Sequence, residues 1–507
     1  MSDKRLAVGA ATNWAAFAAA LAVAFFMFPY QTAGLGKERA GVWIVAESIL
    51  AYFTLFDLGI AACLVRFVAR HEAKNDQVSL NKIVSASFVL FTVAAGGVLL
   101  VGAVLAPFAG AGLERKLAAE GAPAGDVTAF LLLMLANLAL TLPLSVFTNI
   151  LDGLQRYVAK SVVRLVFLGV RVGGSVYVIE TRPGLFPLAV VFTITNLLEH
   201  AVMAALSFRY LPGLRISRGL VDRATLKDVK GYSVDAFLAM LAGRITVQTA
   251  AIVVGGFMAI GAVAYYGTAM RLVEMAKNML RAATTTLTPA VSEREARGDL
   301  DGVRRVLLVG TRWVLYLVLP IHLGLLFFGK PFIERYMKGQ DFAGQSFPVL
   351  VILSATLTIG VAQSVASRIL YGMGKLRLFA RLALVEAVVN LTLCLLLVKP
   401  FGLVGVAVAV GVPNVLFCLF VIGYACRQLD VPMRQYLAAW VRPVCAAAAA
   451  AGVWAFVTPV AAAWPAIGAG IAAGLVPFAV VVIVVERIAV VRPTPTSPPP
   501  VPAVHPA

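Results

Sequence analysis

Along this chain, apolar runs of about 17 to 25 residues alternate with short polar connections from the N-terminus to about Val485, and a run of that length suits a helix crossing bilayer hydrocarbon. The pattern predicts roughly fourteen transmembrane helices, near residues 10–30, 41–64, 83–107, 127–150, 161–179, 185–207, 232–257, 260–290, 304–328, 346–369, 379–398, 402–424, 442–459 and 465–486. The first run follows Lys4 and Arg5 as a secretion signal would. No small-residue cleavage site is evident and a second span begins at once, so it reads as a retained helix. The fold class predicted is an all-α polytopic membrane protein.

One predicted helix breaks the apolar rule. Between about Ala259 and Ala290, residues Arg271, Glu274, Lys277, Asn278 and Arg281, with Thr285, fall within an arc of about 120° at 100° per residue. Leu272, Met275 and Met279 cover the other faces. An ionised side chain near the centre of a membrane helix costs about 2.5 to 3.5 kcal/mol on insertion scales, so this stripe is expected to line a polar cavity and not to face lipid. Other helices carry shorter polar rows. Arg244 and Gln248 lie one turn apart on the seventh span, Arg164, Arg171 and Ser175 align on the fifth, and Arg305, Arg312 and Tyr316 on the ninth.

Composition agrees with the pattern. Of 507 residues, 61% are hydrophobic and 13% charged, and the mean hydropathy is +0.90. The net charge of +18 would point to nucleic acid in a soluble protein. Here, with a cytoplasmic N-terminus, roughly 28 Lys and Arg fall on the cytoplasmic side against roughly 9 opposite, so topology accounts for the excess and no nucleic-acid partner is expected. The densest basic cluster, Arg209, Arg215, Arg218, Arg223, Lys227 and Lys230, follows the sixth span and suits anionic lipid. An even number of spans returns the C-terminus to the cytoplasm. The five cysteines sit in or beside apolar helices without CxxC spacing, which supports neither a disulfide framework nor a zinc site.

The chain also resembles itself at an offset of about 220 residues. EAKND at Glu72–Asp76 returns as EARGD at Glu295–Asp299, and LDGLQRY followed by RPGL returns as LYGMGKL followed by KPFGL. The resulting plan is an N-terminal six-helix bundle with its connecting cytoplasmic loop (1–230), a second six-helix bundle (231–430) in parallel repeat around a central cavity, two extra C-terminal helices (431–488), and a disordered proline-rich cytoplasmic tail (489–507).

The run GLGKERAGVW, then Phe56 to Asp76, then LDGLQRY, together with the second-half GMGK segment, resembles polysaccharide-biosynthesis flippases of the O-antigen (Wzx) type. Their superfamily also holds multidrug and toxin extrusion transporters and lipid II flippases. The resemblance covers about residues 5 to 440 and implies alternating access of a central cavity in a bacterial inner membrane. The implied substrate is an undecaprenyl-pyrophosphate-linked oligosaccharide moved from the cytoplasmic to the periplasmic leaflet for surface or exopolysaccharide biosynthesis, with polymerase and assembly proteins as partners besides membrane lipids. A pyrophosphate and a hydrated glycan need a cationic, water-filled path, and Arg and Lys suit phosphate oxygens. Arg244, Arg271, Lys277 and Arg281 are therefore expected to supply most of the attraction, with Gln248, Glu274 and Asn278 beside them.

Secondary candidates are Arg171 and Arg312, which either act in the cavity or snorkel to the interface, and Asp57 and Arg66 at the end of the second span, where Asp57-Leu58-Gly59 forms a bend. No cofactor is expected beyond a coupling proton or sodium ion, for which Glu47, Asp235, Glu274 and Glu386 are the acidic candidates. The four scattered histidines and the short external segments around Gly110–Asp126 and Gly329–Ser346 provide no catalytic constellation, so an enzyme is not expected. The alternatives left open are a lipid II flippase and an ion-coupled multidrug exporter of the same superfamily. A drug cavity should favour acidic and aromatic linings.

Overall fold

The structure, a computed structural model, describes residues 3–57, 60–123, 125–222, 234–284, 287–338, 340–458 and 463–491. Among them are fifteen α-helices and no strands: α1 Asp3–Leu35, α2 Lys37–Phe53, α3 Ile60–Glu72, α4 Gln77–Ala119, α5 Val127–Gly153, α6 Tyr157–Thr181, α7 Leu185–Tyr210, α8 Val234–Phe257, α9 Ala262–Thr284, α10 Leu287–Ala296, α11 Leu300–Tyr336, α12 Gln340–Gly372, α13 Leu376–Gln428, α14 Met433–Val457 and α15 Trp464–Val491. Eleven are long and apolar enough to span a membrane. One of these, α13, is two segments in one, because Gly402 (φ 55°, ψ −137°) breaks its helical path just after Pro400.

The remaining expected spans depart from regular helices. The second, expected over 41–64, is interrupted: α2 ends in a 3-10 turn, Thr54–Asp57, and α3 begins at Ile60, so the chain bends where Asp57-Leu58-Gly59 was expected to bend it. Leu58, Gly59 and the Asp57 side chain lie outside the described residues. The eighth, expected over 260–290, is α9, ending at Thr284, with the short helix α10 after it. Its charged stripe keeps it out of the apolar set. The external segments expected around Gly110–Asp126 and Gly329–Ser346 are instead largely helical, because α4, α11 and α12 run 43, 37 and 33 residues, well beyond their apolar stretches.

Both internal sequence repeats have a conformational basis. After α3, Asn75 takes a positive φ of 55° and Asp76 accepts the Ser79 backbone N–H at 3.0 Å. After α10, Gly298 takes a positive φ of 72° and Asp299 accepts the Gly302 N–H at 2.8 Å. The repeated sequence is thus a left-handed residue followed by an aspartate that caps the next helix. In LDGLQRY and LYGMGKL, Gln155 (φ 56°) and Gly374 (φ 68°) each stand two residues before the start of a helix.

Two compact units are distinguished: Met1–Met275 with Ile333–Thr356 and Lys375–Phe417, and Ala276–Phe332 with Leu357–Gly374 and Cys418–Ala507. The boundary expected near residue 230 lies outside the described residues, as do Arg223, Lys227, Lys230 and tail residues 492–507. In the first unit a core of Leu64, Val84, Phe91, Val146 and Ile150 joins α3, α4 and α5. The segment after α7 is tied along α4, where Asn81 accepts the Arg215 N–H and donates to the Gly213 carbonyl, and Ser85 accepts the Ser217 N–H. The basic residues Arg215 and Arg218 are thereby held beside α4.

One end of this unit is closely stitched. Lys116, near the end of α4, donates to the carbonyls of Gly255, Gly256 and Met258 at 2.7, 2.7 and 3.0 Å, while Glu120 accepts the N–H groups of Ile260 and Gly261. A cation thus meets the C-terminal carbonyls of α8 and a carboxylate meets the N–H groups leading into α9, each matching the local helix dipole. Gly41 lies against the Ile260 carbonyl with no room for a Cβ. Lys37 and Ser346 bind the Tyr265 hydroxyl and carbonyl at 3.0 and 2.9 Å. In the second unit, Phe328, Ala450, Trp454 and Ile467 join α11, α14 and α15, with the Trp454 indole donating to the Gly470 carbonyl at 2.9 Å.

Candidate functional site

Helix α9 is two-sided, as its sequence requires. Leu272, Val273 and Ala276 are buried, whereas Arg271, Glu274, Lys277 and Asn278 remain partly accessible on the opposite side. The division between the compact units falls after Met275, so Arg271 and Glu274 belong to the first and Lys277 and Asn278 to the second. The Arg281 side chain and Thr285 lie outside the described residues.

Arg271 is not an open cation. Its Nη2 donates to Glu47 Oε2 at 3.0 Å, and its guanidinium lies over the Phe28 ring with Cζ 4.4 Å from the centroid. Glu47 is in turn held from α2, one turn away, by the Trp43 indole N–H at 2.8 Å. Both charges of the pair stay partly accessible, at 38% and 43%, so their attraction is screened and is worth at most about 1 kcal/mol. Glu274 and Lys277 are also engaged by neighbouring groups.

From Trp43 the polar path continues into α6 and α7. The Trp43 ring packs on Phe192 at 5.0 Å, and Arg171 Cζ lies 5.5 Å from the centroid of the same ring. Arg171 donates to Thr195 at 3.2 Å and Glu199 at 3.3 Å. Asn196 donates to Asn137 on α5 at 3.0 Å. Arg171 thus forms an ion pair with a carboxylate on the neighbouring helix. Sequence reasoning overlooked Glu199, Thr195 and Asn196. Their signal was the polar set Thr195, Asn196, Glu199 and His200 at helical spacing in an otherwise apolar run.

Arg312 resembles Arg171 in this respect. Its Nε is 3.4 Å from Glu486 on α15, which also accepts from the Tyr316 hydroxyl at 3.0 Å and lies 3.7 Å from Arg442 on α14. Glu486 thereby ties Arg312 on α11 to the C-terminal helices α14 and α15. Arg66 is exposed on α3. Of the acidic candidates, Glu386 is buried and accepts from Asn414 at 2.9 Å, while the Asp235 side chain lies outside the described residues.

Arg244 and Gln248, one turn apart on α8, stand in contrast. Both are half-buried, and neither makes a side-chain hydrogen bond or ion pair among the described residues. Thr249 beside them bonds Tyr52 on α2 at 2.5 Å, which fixes α8 against α2. A guanidinium held partly out of water without a carboxylate partner is disposed to accept an anion from outside the protein.

A helical chain with at least eleven apolar spans, polar side chains inside them and a self-similar pair of repeats defines a polytopic membrane transporter. A family profile described as "Lipid II flippase MurJ" matches residues 58–468, and the chain belongs to this family of lipid flippases. It is a transporter, not an enzyme. The chain is similar to a solved structure of lipid II flippase MurJ in an inward closed conformation, with a TM-score of 0.73 and 12% identity over 95% of this chain and 99% of that one. It is also similar to an inward-facing multidrug resistance MATE family transporter of the MOP superfamily, with a TM-score of 0.66 and 14% identity over 81% and 94% of the two chains. At these identities the likeness concerns the fold. A curated relative, the probable low-salt glycan biosynthesis flippase Agl15 of Haloferax volcanii, is 28% identical over 157 residues, which span 31% of this chain and 33% of that protein.

Proposed function

We propose that the protein flips an undecaprenyl-pyrophosphate-linked oligosaccharide from the cytoplasmic to the periplasmic leaflet of a bacterial inner membrane by alternating access, in the manner of the O-antigen (Wzx-type) flippases, with both termini cytoplasmic. The observation that carries this reading is the Arg244 guanidinium on a membrane helix, which has no ion-pair partner among the described residues. Arg244 takes the pyrophosphate, and Gln248 donates and accepts beside it. Arg271, braced by Glu47 and Phe28, shapes the wall and exchanges partners only when an anion arrives. The glycan flippase among the relatives supports an oligosaccharide as the headgroup.

A second reading, a lipid II flippase, is favoured by the family profile and serves the same anionic chemistry. Two rescue strains separate them. One lacks its O-antigen flippase and the other is depleted of its lipid II flippase. Rescue of the first alone supports the oligosaccharide, and rescue of the second alone overturns it in favour of the peptidoglycan precursor. A multidrug exporter is not favoured by a basic, unpaired site.

A further inference from the structure

Helix α10 lies beside the first half of α11, and the two enclose an open groove of about 440 Å³. Arg294 and Arg305 line one end, and Val306, Val309, Trp313 and Leu317 continue along α11. Twelve residues of helix separate Arg305 from Leu317, a rise of about 18 Å. That distance is close to one leaflet of a hydrocarbon core about 30 Å thick. Because α11 has 37 residues, its first turns extend beyond any such core and place Arg305 at headgroup level.

The two ends of the groove match the two ends of a lipid. Trp313 and Leu317 are each 50% exposed, an apolar surface suited to an acyl chain. Arg305 makes no hydrogen bond or ion pair among the described residues. Its neighbour Arg304 is fully occupied by Asp301, Asp430 and the Leu429 carbonyl, so the two consecutive arginines do different work. Arg294 is only partly neutralised by exposed Asp299 at 3.2 Å. Gly302 leaves the mouth open, since a Cβ there would strike the Asp299 carboxylate and the Arg294 guanidinium.

We propose that this groove holds one anionic membrane phospholipid, its phosphate between Arg305 and Arg294 and one acyl chain along Val306, Val309, Trp313 and Leu317. The volume lies in the ordinary small-molecule range of about 300 to 1,000 Å³, suited to part of an ordinary acyl chain. None of the lining residues belongs to the α9 stripe or to the Arg244 pair, so the groove is proposed as a site for a resident lipid and not for the transported substrate. It favours membranes rich in anionic lipid.

Native mass spectrometry of the delipidated full-length protein, given equimolar phosphatidylglycerol and phosphatidylcholine, tests this. The expected result is one retained phosphatidylglycerol, preferred about fivefold, the factor one basic residue contributes near a membrane surface. Arg305→Glu abolishes that preference, Arg305→Lys keeps it, and Gly302→Leu lowers occupancy with every charge retained. If Arg305→Glu does not fold, Arg305→Gln carries the same reading. Equal retention of both lipids by the unaltered protein, or an unchanged preference in Arg305→Glu or Arg305→Gln, overturns the proposal. So does undecaprenyl phosphate displacing phosphatidylglycerol in the unaltered protein, because the groove would then be a substrate site.

Discussion

A guanidinium held partly out of water is defined by what neutralises it, and this separates arginines that look alike in sequence. Arg171, Arg271 and Arg312 each have a carboxylate within 3.4 Å, while Arg244 has none among the described residues. Arg244→Gln is therefore expected to weaken substrate binding by about 10- to 100-fold, the worth of a hydrogen bond to a charged group, with little change in thermal stability. Binding to a purified lipid-linked pyrophosphate and a melting curve on the same sample check both halves; unchanged affinity removes Arg244 from the site. Arg271 should behave otherwise. Arg271→Glu sets two carboxylates together and lowers transport, and adding Glu47→Arg restores it if the pair is architectural. Failure of that rescue, in protein made at normal abundance, would reassign Arg271 to direct substrate contact. The stripe on α9 was legible because charges in a membrane helix are expensive. The partners were not, since Glu47 is 224 residues from Arg271 and only the folded chain brings them together.

Among the elements, turns and helix ends carry the most consequence. The Asp76 carboxyl is held below the usual carboxylate range by hydrogen bonds from the Ser79 hydroxyl and backbone N–H, with His71 alongside. A depressed carboxylate stabilises the fold above its unfolded value, and that contribution is lost as pH falls through the depressed value. Melting temperature should therefore drop between neutral pH and about pH 3 more in the native protein than in Asp76→Asn, which has no charge to lose. Asp299→Ala removes the matching cap in the second repeat and should cost about 0.5 to 2 kcal/mol in thermal unfolding. The Lys116 and Glu120 contacts with the connection between α8 and α9 make a sharper case. Replacing Lys116 with Met leaves the carbonyls of Gly255, Gly256 and Met258 without their donor, so a cysteine placed at Met258 should become more reactive toward a membrane-impermeant thiol reagent. Unchanged reactivity would mean that the contact does not hold this end closed. Hydropathy marked where helices lie but not how far they run. Residues 110–126 read as a loop because Glu114, Arg115, Lys116 and Glu120 end the apolar run, yet such residues also make good solvent-facing helix, and α4 continues through most of them.

For the whole molecule, the decisive property is whether one position meets both sides of the membrane. Alternating access, the route proposed above, requires a side chain at the substrate site to be reachable in turn from each compartment. Position 248 suits the test, because Gln248 is half-buried, makes no side-chain hydrogen bond among the described residues and sits one turn from Arg244. In a background with Cys63, Cys394, Cys418, Cys426 and Cys445 replaced by serine or alanine, Gln248→Cys should react with an impermeant maleimide added to either face of inverted or right-side-out vesicles. Two conformers separated by a few kcal/mol leave the minor one at roughly 0.1 to 10%, so labelling from the less favoured face should be slower by up to about three orders of magnitude without being absent. Added lipid-linked pyrophosphate should slow labelling from both faces if it occupies the site. Labelling confined to one face, with the other unreactive even after long exposure, would exclude alternating access at this position and with it the proposed route for the substrate.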